Sequence, residues 1–147
     1  MQIKIPKINF DEQPKKKLTH PEQLVQKSIV EYLKLNKFLF TAPDAGVHVK
    51  SKATRGILKS MGRKSGISDL IVWILGGTVC IECKKPATYR WSERYKRMVI
   101  DERAGTQSDD QKEFQAMIEQ ITGHHYIVAK SLTDVVDYFK KYNIQPK

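Results

Sequence analysis

The sequence predicts a mixed α/β domain in the order αβββαβα, with a central mixed sheet flanked by helices, on three observations. Apolar residues recur at helical spacing in three segments, two short apolar runs meet at Gly76-Gly77, and a further apolar run follows Gly123. A chain of 147 residues with 40% hydrophobic residues has the size of one compact domain and is too apolar for intrinsic disorder. Residues 19–147 are therefore expected to form one domain, behind a basic arm over residues 1–18 that contains Pro14-Lys15-Lys16-Lys17.

Thr19 and Glu22 have capping-box spacing, and Leu24, Val25, Ile29, Tyr32 and Leu33 follow at helical intervals, which predicts a helix over Pro21–Leu35. Phe38, Leu39, Phe40 and Thr41 read as a strand. The polar, glycine-punctuated stretch that follows reads as loop with one short helix near residues 55–61. Runs 70–75 and 78–83 flank Gly76-Gly77, a strong signal for a two-residue turn, and this hairpin is expected at the centre of the sheet. Residues 86–107 have no clean period and read as a long basic insertion. Ser108 opens a helix with Phe114, Met117, Ile118 and Ile121 inward and Gly123 at its end. Residues 125–129 form a fourth strand, and Ser131 caps a last helix that carries Val135, Val136, Phe139 and Tyr142 on one side.

Composition narrows the function classes. No window approaches eighteen consecutive apolar residues and the start lacks the apolar core of a signal peptide, so a cytoplasmic protein without a membrane partner is expected. Two cysteines, Cys80 and Cys83, are too few for a disulfide framework. Lys and Arg number 26 against 16 Asp and Glu, a net charge of +10. The excess is uneven: residues 105–147 hold five lysines against six acids, so residues 1–104 carry +11. Residues 45–68 contain Lys50, Lys52, Arg55, Lys59, Arg63 and Lys64 and no acid. Lys84, Lys85, Arg90, Arg94, Lys96, Arg97 and Arg103 make a second concentration. Such placement aims at the phosphates of a nucleic acid.

If Gly76-Gly77 makes the turn, facing residues sum to 153, which sets Asp69 opposite Lys84 and Ile71 opposite Glu82. Side chains alternate along a strand, so Glu82 and Lys84 share one face while Val79, Ile81 and Cys83 enter a core layer. Asp69 and Glu82 become diagonal neighbours, roughly 7 to 8 Å apart at Cα. Two acids and a lysine on inner strands are costly without compensation, and a hard divalent cation such as Mg²⁺ or Mn²⁺ would supply it. The bland alternative is a surface hairpin with harmless cross-strand pairs. The strongly apolar strands and Arg63-Lys64-Ser65-Gly66, a basic and backbone-flexible approach for phosphate, weigh against that.

The order Gly66-Ile67-Ser68-Asp69, Ile81-Glu82-Cys83-Lys84 and Ser108-x-x-Gln111 resembles the VRR-NUC branch of the PD-(D/E)xK nucleases, over about residues 22–139. The resemblance implies a restriction-endonuclease-like core. It also implies Asp69 and Glu82 as metal ligands together with the Cys83 carbonyl, Lys84 as the catalytic lysine, and Gln111 completing the site. The family places a glutamate on its first helix, which Glu22, followed four residues later by Gln26, matches better than Glu31. Glu22 and Gln111 have a competing role as third helical residues of capping boxes. Ser68 stands where the family usually has proline, and the insertion over residues 86–107 is a second departure.

The implied activity is metal-dependent hydrolysis of DNA phosphodiesters, with Lys50, Lys52, Arg55, Arg63, Lys64, Lys85, Arg90 and Arg94 holding the backbone. Stand-alone small members resemble Holliday-junction resolvases, which implies a homodimer acting on branched DNA. The alternatives are a non-catalytic DNA-binding module on the same fold and a sequence-specific restriction-type enzyme. Cys80 and Cys83 point to opposite strand faces and are expected to pack, His124 and His125 are expected to be surface or hydrogen-bonded rather than metal ligands, and Trp91 and Tyr95 could stack on bases or bury against the insertion.

Overall fold

The computed structural model describes residues 20–43 and 51–146; the N-terminal arm, Thr19 and Lys50 lie outside the described residues. Helix α1 spans Pro21–Leu35, as the apolar spacing requires, and buries Val25, Ile29 and Leu33. Its start differs from expectation. The N-cap is His20, with no side-chain cap bond, because Pro21 occupies the first helical turn, where its fixed φ is already helical and its missing N–H costs nothing. Glu22 is thereby displaced from the capping-box position that Thr19 would have given it.

Strand β1 is Leu39–Thr41, followed by helix α2 over Lys52–Ser60, which has no buried residue. Strands β2 (Leu70–Ile74) and β3 (Gly77–Cys83) form the hairpin, and β6 (His124–Ala129) lies beside β3. The sheet order is β1-β2-β3-β6, antiparallel except for the parallel β3–β6 pair, so the hairpin does occupy the two inner positions of a mixed sheet.

The hairpin register differs from the sequence expectation by two. Leu70 pairs with Ile81 and Ile74 with Gly77, so facing residues sum to 151 and the turn residues are Leu75 and Gly76. Only Gly76 adopts a turn φ, +84°. Gly77 is a glycine for another reason: a Cβ there would fall 1.7 Å from the Gly123 carbonyl oxygen, where the loop before β6 crosses the hairpin end. A shift of two preserves which side chains share a face.

One face of the sheet carries the apolar core. Leu70, Val72, Ile74, Val79, Ile81, Cys83, Ile127 and Ala129 pack against α1 and against Val135 and Phe139 of helix α4, Leu132–Lys141. Helix α3, Asp109–Glu119, covers the other face through the Phe114–Tyr126 ring contact at 6.2 Å. It buries no residue, and Met117 and Ile121, expected inward, are exposed. Tyr142, expected on the same side of α4 as Val135 and Phe139, lies just beyond the helix and is exposed, its ring tilted against that of Tyr138 at 4.5 Å. The expected loop over residues 86–107 contains an antiparallel ribbon of β4 (Thr88–Ser92) and β5 (Arg97–Glu102), so the order is αβαββββαβα. No helix among the described residues is long and apolar enough to cross a membrane.

Candidate active site

Alternation along β3 turns Cys80, Glu82 and Lys84 toward α3, opposite the core face. Carrying the register of 151 one step beyond Leu70 sets Asp69 directly across from Glu82, closer than the diagonal placement the other turn would give. The Asp69 carboxylate is held by the Cys83 main chain, whose N–H donates to Oδ2 at 2.7 Å.

Glu82 is 1% exposed. Its Oε1 accepts from Lys84 Nζ at 2.9 Å and from Gln111 Nε2, while its Oε2 is buried without a hydrogen-bond partner. Burial, with the charges of Asp69 and Glu22 adding and Lys84 opposing, pushes this carboxyl up to about 7. Gln111 joins the helix to the sheet. Its Oε1 accepts from the Ser108 N–H at 2.9 Å and from Lys84 Nζ at 3.0 Å, and its own N–H donates to Ser108 Oγ. Capping and site contact, which the sequence set against each other, are both made by one side chain.

Glu22 is exposed but turned toward this cluster: Gly105 sits so close that a Cβ on it would lie 3.2 Å from Glu22 Oε1 and 3.4 Å from Lys84 Cβ. The Cys83 thiol lies in the core and is pushed strongly up by burial first, then by the Asp69, Glu82 and Glu22 charges. Any ligation by Cys83 therefore falls to its main chain, since only a thiolate is a good sulfur ligand. Among the described residues no three His, Cys, Asp or Glu side chains form a ready metal cluster. Two carboxylates, one of them with an orphaned oxygen, do fit a hard cation that takes further oxygens from main chain and water.

No family model matches the sequence, and no curated protein does. A solved structure described as "VRR_NUC domain protein" aligns over 87% of this chain and 93% of its own, at 23% identity and a TM-score of 0.56. This chain has the VRR_NUC fold.

Within that fold the phosphate-binding candidates divide by element. Lys52 and Arg55 lie on exposed α2, and Arg63 and Lys64 in the loop that leads to Asp69. Lys85 pairs with Glu102 at 3.2 Å and Arg90 with Asp101 at 2.9 Å, both on the ribbon surface, while Arg94 lies over the Tyr95 ring at 5.4 Å. The histidines are hydrogen-bonded, as expected, His124 Nδ1 lying 2.7 Å from Thr78 Oγ1 and His125 Nδ1 3.0 Å from Tyr138 Oη.

The packing roles of three residues, Gly66, Ser68 and Gly105, were not read from the sequence. Gly66, expected to flex toward phosphate, instead lets the loop before Asp69 touch α3: at φ +72°, a Cβ there would meet the Asp110 oxygen at 2.3 Å and the Gln111 nitrogen at 2.7 Å. Ser68, in the place of proline, is fully buried and donates to the Leu70 carbonyl at 3.1 Å. Gly105 floors the gap between Glu22 and Lys84. A glycine signals freedom in a sequence; only coordinates reveal which atom a Cβ would strike.

Proposed function

We propose that the chain belongs to the VRR-NUC branch of the PD-(D/E)xK nucleases and is a divalent-metal-dependent endonuclease hydrolysing DNA phosphodiesters. The observation that supports this best is the Glu82 carboxylate, buried with one oxygen held by Lys84 and Gln111 and the other without a partner. Ionised, such a carboxylate destabilises the fold, and a cation that meets the free oxygen relieves the cost. Asp69, Glu82 and the Cys83 carbonyl would hold Mg²⁺ or Mn²⁺, with Glu22 contributing from the start of α1. When bound, the ion would supply charge neutralisation at the phosphodiester and acidify a nearby water.

The chain's own groups do the rest. Lys84 places its Nζ 2.9 Å from Glu82 Oε1, where it can orient a water or offset charge on the scissile phosphate. Gln111 fixes Lys84 Nζ through Oε1 and the Glu82 carboxyl through Nε2. Lys50, Lys52, Arg55, Arg63, Lys64, Lys85, Arg90 and Arg94 hold the DNA backbone, which positions a substrate without specifying its sequence. A homodimer would set two such sites on the two strands of branched DNA.

Purified protein is incubated with Mg²⁺ and four-way junction, flap and linear duplex, beside Lys84→Ala and Asp69→Asn. Wild-type cleavage that both variants lose by more than about a hundredfold is expected; cleavage equal in all three would overturn the enzyme. Melting with Mg²⁺ gives an independent readout: wild type should be stabilised by the ion and Asp69→Asn should not.

A further inference from the structure

The ribbon of β4 and β5 has two unlike faces. Its register pairs Tyr89 with Ile100 and Trp91 with Met98, so these four side chains share one face. All four are between 52% and 60% exposed, none joins the core, and the buried residue is Ser92 on the opposite face. A contiguous apolar strip left open to water marks an interaction surface.

Charge selects its occupant. The ribbon and its two roots carry Lys85, Arg90, Arg94, Lys96, Arg97 and Arg103 against Glu93, Asp101 and Glu102, a balance of +3. A second copy of the chain would bring the same positive ribbon against itself, whereas a polyanion relieves the repulsion. Among polyanions, one that presents flat faces suits Tyr89 and Trp91. The Arg94 and Arg97 guanidiniums over the Tyr95 ring, at 5.4 and 5.8 Å, add cation–aromatic character at the tip.

We propose that this face is a stacking platform for unpaired bases of DNA, a deepening of the nuclease reading above. Its location fits. The ribbon leaves β3 directly after Lys84, and its root is fastened by the Gly105 N–H to the Lys85 carbonyl at 3.0 Å. A strand whose bases lie on Tyr89 and Trp91 would lead its phosphates toward Lys84. Single-stranded branches would then be favoured over continuous duplex.

The test uses the full chain in EDTA, so that binding is read without cleavage, with fluorescein-labelled oligothymidylate and an abasic oligonucleotide of equal length. Oligothymidylate should bind about tenfold tighter than the abasic strand, and Tyr89→Ala/Trp91→Ala should remove that difference while leaving abasic binding unchanged. Equal wild-type affinity for the two strands, a comparison that needs no variant, overturns the proposal. So does a variant that weakens both strands alike, or one that binds as wild type but turns a sedimenting dimer into a monomer, which would give the face to a second copy. If the platform fails while Mg²⁺-dependent cleavage of duplex persists, the nuclease reading stands; if neither strand binds and nothing is cleaved, both fall.

Discussion

Gln111 concentrates two demands in one amide, and they can be separated by substitution. Gln111→Ala removes the cap acceptor and both site contacts; losing a cap costs about 1 kcal/mol. Gln111→Glu keeps an acceptor for the Ser108 N–H but sets a carboxylate, with no donor, against Glu82. Both variants should lose at least about tenfold in single-turnover cleavage, while only the alanine variant should lose the stability of the cap in urea unfolding. A glutamate variant as active as wild type would confine Gln111 to capping. Glu82 gives a second expectation at this scale. Its folded pKa of about 7 exceeds the ordinary 4.5, so the native state binds the proton more tightly than the unfolded chain does. This contribution to stability is complete below pH 4.5 and is lost as pH rises through about 7, up to about 3 kcal/mol. Urea unfolding in EDTA from pH 5 to 8 should reveal the decline, and Glu82→Gln should flatten it; an equally steep profile in that variant would assign the decline to other groups. That Asp69, Glu82 and Lys84 share one face was legible in the sequence, because hairpin pairing and strand alternation set it, whereas Gln111 was reached only through the resemblance in motif order. The orphaned Oε2 and the double use of Gln111 were not, because they depend on how α3 meets the sheet.

Elements are placed by glycines that the sequence could not interpret. Gly66→Ala meets both a positive φ and the backbone of α3, so the helix start must move and carry Gln111 with it. Gly62 offers a control: φ is +94°, yet nothing lies within 4 Å of an added Cβ. Gly62→Ala should cost about 1 to 2 kcal/mol of backbone strain and leave cleavage intact, whereas Gly66→Ala should cost more and cut cleavage at least about tenfold. Equal activity of the two would show that the loop yields without disturbing the site. The same physics explains the register. Gly76-Gly77 announces a turn but not which glycine makes it, and the answer lies in the distant Gly123. Helices α1 and α4 and the inner strands were legible because each buries a face that imposes a period. The ribbon was not, since its apolar residues remain in water and no core registers their alternation.

Across the whole molecule, the charge of +10 is separated from the scaffold. The excess lies before residue 105, mostly in the N-terminal arm, α2, the loop before Asp69 and the ribbon, while α3, β6 and α4 belong to a stretch with a balance of −1. The total was legible from composition, but its relation to the sheet required the fold, in which the loop with Arg63 and Lys64 runs through Asp69 into β2 and the ribbon leaves β3 after Lys84. Counterion release makes this separation measurable. Each cation that neutralises a duplex phosphate contributes roughly 0.9 to the slope of log affinity against log salt. Arg63→Ala/Lys64→Ala should therefore flatten the slope by about 1.8 with duplex DNA in EDTA. Lys140→Ala/Lys141→Ala removes the same charge from the last turn of α4 and should leave the slope unchanged, because that end lies outside the positive region. The total charge is equal in the two variants. A common loss of slope would mean that the chain binds DNA through its overall charge, and a loss confined to the first pair would mean that phosphates run past the loop that delivers Asp69.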